Sequence, residues 1–214
     1  MSPRRIPIDF FFDVFSPYSW IGFEGLIRYS QVWPIDVSLR PFYFAGVIKA
    51  TGNRGAPLSI EAKERYLDID LRRNGDYWKI PISLPEVFPC FRLYYLRALM
   101  LVIMKLLRAS IFYDRLVCSF FFEKIKVLKT LPVKDVDSLF QLASSKEIKA
   151  ELRRNTDEAL SNGCFGAPWI HVRLSEEQTE PFFGSDRLPL IGHLIGEQYQ
   201  GPLRQLANKA SDSD

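Results

Sequence analysis

The hydrophobic and polar positions near the start of the chain predict a buried strand that runs directly into a helix. Residues Ile8–Phe15 are apolar except for Asp9 and Asp13, and the run is too short for a typical helix. It therefore favours a central strand that is covered on both faces. Apolar positions at helical spacing continue to about Val32, and Pro34 then ends the helix.

Similar patterns predict three further strands and a final helix. A second strand is predicted at Asp36–Phe44, with Pro41 near an edge or a bulge. Alternating apolar residues predict a third strand at Trp169–Leu174, and Pro181–Phe183 forms a short fourth one. Apolar positions at helical spacing predict a last helix at about Asp186–Gln200.

A long helical block separates the two halves of this pattern. Within it, Leu96, Leu99, Ile103 and Leu106 recur at helical spacing. Further helices are predicted around Glu61–Arg73 and at Ser110–Leu128, Asp135–Ser144 and Lys146–Ser161. Strand–helix–strand, a helical block and then strand–strand–helix is the order of a thioredoxin-like α/β domain with an all-helical domain inserted between its two halves. On this prediction, residues 1–58 and 163–214 form the thioredoxin-like domain and residues 59–162 form the insertion.

Composition and charge narrow the class of protein. The chain has 214 residues, 47% of them hydrophobic, which suits one domain or one domain with an insertion. Its net charge is +3 with scattered Lys and Arg, so neither a nucleic acid nor an anionic membrane is an expected partner. The three cysteines lie far apart without a Cys-x-x-Cys pair, which argues against a disulfide framework or a zinc site. The isolated His171 and His193 are expected to be structural, so no metal site is predicted.

Targeting signals are also not expected. The opening Met-Ser-Pro-Arg-Arg is not followed by a cleavable apolar region, and Arg97 and Lys105 interrupt the most apolar stretch before it reaches the length of a membrane span. The final Ala-Ser-Asp-Ser-Asp does not resemble a peroxisomal signal. We therefore expect a soluble intracellular protein with no membrane span.

The strongest chemical signal is Ser16-Pro17-Tyr18-Ser19, where the first strand passes into the first helix. Thioredoxin-like oxidoreductases carry Cys-x-x-Cys here, and the helix N-terminus stabilises a thiolate. Hydroxyls replace both sulfurs in this chain, so disulfide exchange at this position is excluded. Ser16 could donate to the thiolate of another molecule, or it could simply cap the helix.

Two further motifs flank the third strand. Ala167-Pro168 stands where a thioredoxin-like fold places a cis-proline, which leaves the backbone of the preceding residue free to pair with an extended peptide; the alternative is an ordinary loop proline. Ser185-Asp186-Arg187 is predicted to begin the last helix. Backbone N–H groups and Ser185 could hold the carboxylate of an amino-acid head group there, and Asp186 could hold its ammonium; the alternative is a plain helix cap.

Together these motifs resemble the kappa-class glutathione transferases and the related 2-hydroxychromene-2-carboxylate isomerases, which belong to the DsbA-like thioredoxin folds. The matching segments lie in the first 90 residues and roughly the last 60 residues, and they are 11–24, 39–41, 52–54, 80–82, 165–168, 183–187 and 194–197. Several of these segments are short, but their order and spacing make the resemblance specific. It implies a protein that uses glutathione as a co-substrate, has no other cofactor and forms a homodimer.

The resemblance assigns roles to individual residues. Ser16 matches the catalytic serine whose hydroxyl hydrogen-bonds the glutathione sulfur. The expected glutathione-binding residues are Pro17, Tyr18, Asn53, Lys63, Ala167, Pro168, Ser185 and Asp186. Asp70 and Arg187 match a pair that reaches glutathione across the dimer interface. For Lys63 and Asp70 the alternative is a solvated helix face, since the helix around them is charged throughout.

The chain departs from the family pattern between about Cys90 and Leu142, where the helical block is divergent and looks shortened. That block normally walls the pocket of the second substrate.

The function that the resemblance predicts is a glutathione transferase that acts on small electrophiles or peroxides. The alternatives are a glutathione-dependent 2-hydroxychromene-2-carboxylate isomerase and a non-catalytic thioredoxin-fold binding protein. The resemblance suggests a mitochondrial location, with the cytoplasm as the alternative.

Overall fold

The computed structural model describes residues 5–53, 60–82, 141 and 143–206. The predicted helix with Leu96, Leu99, Ile103 and Leu106 lies outside these residues, as do the predicted helix Ser110–Leu128 and nearly all of Asp135–Ser144. The proposed division into a split domain and an insertion therefore stays a prediction.

A four-stranded mixed sheet forms the centre of the fold, in the order β2-β1-β3-β4. The strands are β1 (Ile6–Phe12), β2 (Ile35–Pro41), β3 (Trp169–Arg173) and β4 (Thr179–Phe183). β1 pairs in parallel with β2 and antiparallel with β3, and β3 pairs antiparallel with β4. This is a thioredoxin-like sheet, and it confirms the predicted fold class.

The central position of β1 explains its sequence. Its residues from Ile8 to Phe12 are all buried, because partner strands lie on both sides and helices cover both faces. Alternate side chains point to opposite faces of a strand. Phe10 accordingly packs in the larger core cluster, whereas Phe11 packs in a second cluster with Phe42 and Val47.

Helix α1 (Pro17–Tyr29) begins as predicted, with Ser16 at the N-cap and Pro17 at the first helical position. It ends at Tyr29 rather than Val32, because the N–H groups of Gln31 and Val32 donate to carbonyl oxygens only three residues earlier (3.2 and 3.0 Å), so the chain leaves the α-helical pattern there. The next helix, α2 (Phe44–Thr51), was not predicted. The aromatic run that precedes it has the composition of a strand, but the chain turns after Pro41 and enters a helix.

The two longer helices in the described part of the chain are α3 (Glu61–Trp78) and α4 (Lys146–Ser161). α4 has the predicted bounds, and the Ser145 hydroxyl accepts a hydrogen bond from the N–H of Ile148 at its start (3.2 Å). α3 buries Leu67, Leu71 and Trp78 in the larger core cluster. α4 contacts both β2 and α2.

The last predicted helix is shorter than expected. Ser185–Arg187 forms a 3₁₀ turn, and helix α5 runs only over Leu188–Ile195. Gly196 ends α5 in a left-handed conformation (φ 78°), which a glycine adopts without steric cost. A second 3₁₀ turn lies at Arg204–Leu206. No helix in the described ranges is long and apolar enough to cross a membrane.

Candidate active site at the start of the first helix

The Ser16 side chain is buried and faces the loop before β3. Its Oγ donates to the carbonyl oxygen of Ala167 at 3.2 Å, and the residue is 7% exposed. Although Ser16 holds the N-cap position of α1, its side chain makes no capping hydrogen bond. The hydroxyl therefore points away from its own helix and towards the backbone of a distant segment.

A buried carboxylate fixes the turn that carries Ser16. Asp13 is 1% exposed, and its two oxygens accept hydrogen bonds from the N–H groups of Phe15 and Phe44, both at 2.9 Å. The backbone N–H of Ser16 also donates to the carbonyl oxygen of Asp13 (3.0 Å). Asp13 thus ties the end of β1 to the start of α2, and it sets the direction in which α1 leaves the sheet. No motif or periodic pattern in the sequence points to this role of Asp13.

The loop opposite Ser16 has the conformation that the sequence predicted. The Ala167-Pro168 peptide bond is cis, and the Pro168 carbonyl oxygen accepts from the N–H of Gly184 (3.1 Å). A Cβ atom placed on Gly22 of α1 would stand 3.3 Å from the Pro168 ring. α1 and this loop are therefore in close contact, and a glycine at position 22 allows it.

Tyr18 and Asp70 join the first turn of α1 to the middle of α3. The Tyr18 hydroxyl donates to Asp70 Oδ2 at 2.6 Å, and Asn74 Nδ2 donates to the same oxygen at 3.2 Å. Burial, and then the hydrogen bond to Asp70, raise the pKa of Tyr18 well above its ordinary value. The phenol accordingly stays protonated at neutral pH and acts as a donor. Asp70 thus contacts a predicted site residue of its own chain.

The turn that carries Ser185 packs beside α1. Ser185 is buried, whereas Asp186 and Arg187 are exposed and form an ion pair with each other at 3.5 Å. Leu188, the next residue, lies against Gly25 of α1, where an added Cβ would stand 2.4 Å from Leu188 Cδ1. The alternative that Ser185 caps the last helix does not hold, because Ser185 lies in the preceding 3₁₀ turn and Arg187 holds the N-cap of α5.

Asn53 and Lys63 lie at the two ends of a segment that the structure does not describe. Asn53 follows α2, and its Nδ2 donates to the carbonyl oxygen of Phe165 at 2.8 Å, so it lies beside the loop of Ala167. Lys63 is exposed in the first turn of α3. Among the described residues, no hydrogen bond or ion pair links its side chain to the other predicted site residues.

Comparisons with known proteins show which family the chain resembles in sequence. Residues 7–196 match the model of the DSBA-like thioredoxin domain family. The chain is 40% identical over 222 residues to "Glutathione s-transferase kappa 2" of Caenorhabditis elegans, covering 95% of this chain and 97% of that protein. It is 32% identical over 225 residues to "Glutathione S-transferase kappa 1" of Homo sapiens, covering 97% and 99%.

The chain belongs to the kappa-class glutathione transferase family. This confirms the resemblance found in the sequence. A solved structure of 2-hydroxychromene-2-carboxylate isomerase shares the fold of this kappa-class chain, with a TM-score of 0.74 and 22% identity over 89% of this chain and 94% of that one.

The thiol of Cys164 is another titratable group close to the Ala167 loop of this kappa-class chain. Cys164 lies just before the loop and donates through Sγ to the carbonyl oxygen of Gly166 at 3.3 Å. Burial raises the pKa of this thiol to about 11, so it is protonated at neutral pH and is a poor nucleophile. Among the described residues, no cluster of His, Cys, Asp or Glu side chains could hold a metal ion.

Proposed function

We propose that this protein is a glutathione transferase in which the Ser16 hydroxyl hydrogen-bonds the glutathione sulfur and stabilises it as a thiolate. The observation that carries the proposal is the hydrogen bond from Ser16 Oγ to the Ala167 carbonyl oxygen, in place of a capping bond within α1. An extended cysteinyl residue that pairs with the Ala167 backbone would bring its sulfur next to this hydroxyl. The close similarity to kappa-class relatives over almost the whole chain supports the same function.

One hydroxyl and one helix N-terminus are sufficient to lower the thiol pKa of glutathione towards neutral pH, as a simple estimate shows. A free thiol has a pKa near 8.5, and each unit of lowering requires about 1.4 kcal/mol of preferential binding of the thiolate. A hydrogen bond to a charged acceptor and the positive end of a helix together supply about one to two units. Much of the bound glutathione would then be ionised at neutral pH.

The reaction that follows is nucleophilic attack by the sulfur. With an aromatic halide, a carbon–sulfur bond forms, the carbon–halogen bond breaks and halide leaves. With a peroxide, a sulfur–oxygen bond forms, the oxygen–oxygen bond breaks and an alcohol leaves after it gains a proton. The resulting glutathione sulfenic acid condenses with a second glutathione to give the disulfide and water. The Ser16 proton stays on its own oxygen throughout.

The rest of glutathione would extend along the residues that surround this point. The buried Ser185 and the exposed carboxylate of Asp186 suit the two charges of a γ-glutamyl group. Asn53 is held beside the Ala167 loop through Phe165, which suits a contact with the glycine end. Pro17, Tyr18, Pro168 and Lys63 complete the proposed site.

The homodimer and the mitochondrial location inferred from the resemblance stay predictions. In such a dimer, Asp70 and Arg187 would reach the glutathione bound by the partner subunit. The exposure of Arg187 suits that role.

The Ser16→Ala substitution tests the proposal. Loss of one hydrogen bond to the thiolate should lower kcat/KM for conjugation of an activated aromatic halide about 10- to 100-fold at neutral pH. Retention on immobilised glutathione should change far less. Ser30→Ala is the matched control, because the Ser30 hydroxyl only donates to the carbonyl oxygen of Ile27 at the other end of α1 (2.7 Å).

The same assay separates the alternatives. If the wild-type protein binds glutathione and shows no conjugation that depends on Ser16, the enzyme proposal is wrong and a binding protein is favoured. If turnover of a hydroxychromene carboxylate greatly exceeds conjugation, the isomerase is favoured. If the wild-type protein does not bind glutathione at all, the proposed site is wrong.

A further inference from the structure

The hydroxyl of Ser19 is buried and has no hydrogen-bond partner among the residues that the structure describes. Ser19 lies in the first turn of α1 and is 1% exposed. A serine within a helix normally exposes its hydroxyl to water or donates it to a backbone carbonyl one turn earlier. A buried polar group without a partner is unfavourable, and alanine would avoid that cost and favour the helix. This hydroxyl therefore has a hydrogen-bonding capacity that the contacts of the protein do not use.

Neighbouring contacts show where Ser19 faces. Ser16, Ser19 and Gly22 follow one another at intervals of three residues, so they lie along one side of α1. Ser16 contacts the Ala167 carbonyl oxygen, and Gly22 abuts the Pro168 ring. This spacing places Ser19 between them along α1. Side chains of a helix tilt towards its N-terminus, which directs the Ser19 hydroxyl towards Ser16, although the two hydroxyls form no hydrogen bond in this structure.

We propose that Ser19 is a positioning residue, whose hydroxyl donates a hydrogen bond to Ser16 Oγ when Ser16 donates its own hydrogen to the glutathione sulfur. The inference rests on the proposed role of Ser16. A hydroxyl has one hydrogen and two lone pairs, so Ser16 can accept from Ser19 and donate to sulfur at the same time. Linked hydrogen bonds polarise one another, and Ser19 would thereby strengthen the bond from Ser16 to the thiolate.

The spacing of the motif agrees with this arrangement. In a Cys-x-x-Cys pair, the second sulfur lies within reach of the first one. Ser16-Pro17-Tyr18-Ser19 keeps that spacing and replaces both sulfurs with oxygens. The second oxygen can serve the first as a donor, although it cannot form a disulfide.

The Ser19→Ala variant tests the proposal through the ionisation of bound glutathione. We expect the apparent pKa of the bound thiol, followed by the ultraviolet absorbance of the thiolate, to rise by about half a unit to one unit. kcat/KM for conjugation should fall about three- to ten-fold below that pKa and approach the wild-type value at high pH. Because the lost hydroxyl has no partner among the described residues, the resistance of the variant to urea should be unchanged or higher.

Two comparisons make the test specific. Ser30→Ala removes a hydroxyl from the same helix and should leave the pH profile unchanged. Ser19→Ala should have almost no further effect in the Ser16→Ala background, because Ser19 acts only through Ser16. An unshifted pH profile in Ser19→Ala, or an equal loss in both backgrounds, would overturn the inference and leave the role of Ser16 intact. Failure of wild-type protein to lower the thiol pKa would overturn the proposed function first.

Discussion

The first turn of α1 carries three hydroxyl groups, and each one has a different environment. Ser16 donates to a carbonyl oxygen of the β3 loop, Tyr18 donates to a carboxylate on α3, and Ser19 is buried without a partner in the described part of the chain. One short segment therefore contacts two distant parts of the chain, and it also carries the Ser19 hydroxyl, a donor that these contacts do not use. On the roles proposed above, a contact to glutathione, a structural contact and a supporting contact lie next to one another.

At the residue scale, the Tyr18–Asp70 bond should contribute measurably to stability. Tyr18→Phe removes a hydrogen bond to a charged acceptor and leaves Asp70 with Asn74 as its remaining neutral donor among the described residues. We expect a loss of about 1–2 kcal/mol in the free energy of unfolding, measured with urea. KM for glutathione should also rise, since Tyr18 belongs to the turn that carries Ser16.

Tyr66→Phe is the matched control for this prediction. Tyr66 is also on α3, but it is 54% exposed, and removal of its hydroxyl should change the free energy of unfolding by less than about 0.5 kcal/mol. Equal stabilities of Tyr18→Phe and Tyr66→Phe would show that the bond to Asp70 contributes nothing to folding.

Sequence patterns located some of these residues and missed others for a physical reason. Ser16 and Pro168 stand at fixed points of a strand–helix pattern, so their positions in the fold follow from local signals. The partnership of Tyr18 with Asp70 and the bonds that Asp13 makes to Phe15 and Phe44 depend on how distant segments pack. Contacts between distant segments produce no periodic pattern of residues in the sequence, so they could not be predicted from it.

At the scale of elements, α4 is docked onto the edge of the sheet by polar side chains. Asn155 Nδ2 donates to the carbonyl oxygen of Pro41 at 2.9 Å, and Thr156 Oγ1 accepts from the N–H of Tyr43 at 2.9 Å. Glu158 forms an ion pair with Arg40 of β2. α4 therefore satisfies backbone groups where the chain leaves β2, and it leads directly into the loop that faces Ser16.

Thr156→Val should weaken this docking while it preserves the shape of the side chain. The N–H of Tyr43 would lose this acceptor in a partly buried place, at a cost of about 1–3 kcal/mol in the free energy of unfolding. Thr51→Val is the control, since Thr51 makes the same bond to the carbonyl one turn earlier, and the backbone N–H that its hydroxyl accepts from, that of Asn53 at 3.4 Å, is exposed. If both variants unfold at the same urea concentration, α4 is not held by Thr156.

The elements that were predicted well are those with strong local patterns. β3 combines clear alternation with nearly the predicted bounds, and α4 has the predicted bounds and the cap formed by Ser145. β1 was found from its continuous apolar run, but it ends at Phe12 and not at Phe15, because the Asp13 carboxylate holds a turn there. α2 was missed because the aromatic residues just before it favour a strand by composition. In the structure the chain leaves β2 at Pro41, and the N–H of Phe44, at the start of α2, donates to Asp13. The end of α5 could have been found from the sequence, because Gly196 is a typical residue for terminating a helix.

At the scale of the whole molecule, a buried histidine lies under the contact between the sheet and α4. His171 of β3 is 2% exposed, and its Nε2 accepts a hydrogen bond from Trp169 Nε1 at 2.8 Å. Burial lowers the pKa of His171; the nearby Asp9 and Glu158 oppose this effect, and Arg173 and Arg40 add to it. The neutral imidazole is therefore the form that the fold accommodates.

This lowered pKa predicts an acid-sensitive component of stability. As the pH falls below the ordinary histidine value of about 6.5, His171 gains a proton in the unfolded chain before it does so in the folded protein. The unfolded state then binds more protons, so stability is lost as the pH decreases from 6.5 towards the pKa of the folded state. Each unit between the two pKa values is worth about 1.4 kcal/mol.

His171→Gln should reduce this dependence, because a glutamine oxygen can still accept from Trp169 but does not titrate. Urea midpoints measured from about pH 8 to about pH 5 should fall more steeply for the wild-type protein than for the variant. His193→Gln is the control: His193 is exposed on α5, so this variant should follow the wild-type curve. Parallel curves for the wild type and His171→Gln would show that His171 titrates alike in the folded and unfolded states, and that the acid sensitivity of the fold lies in its carboxylates.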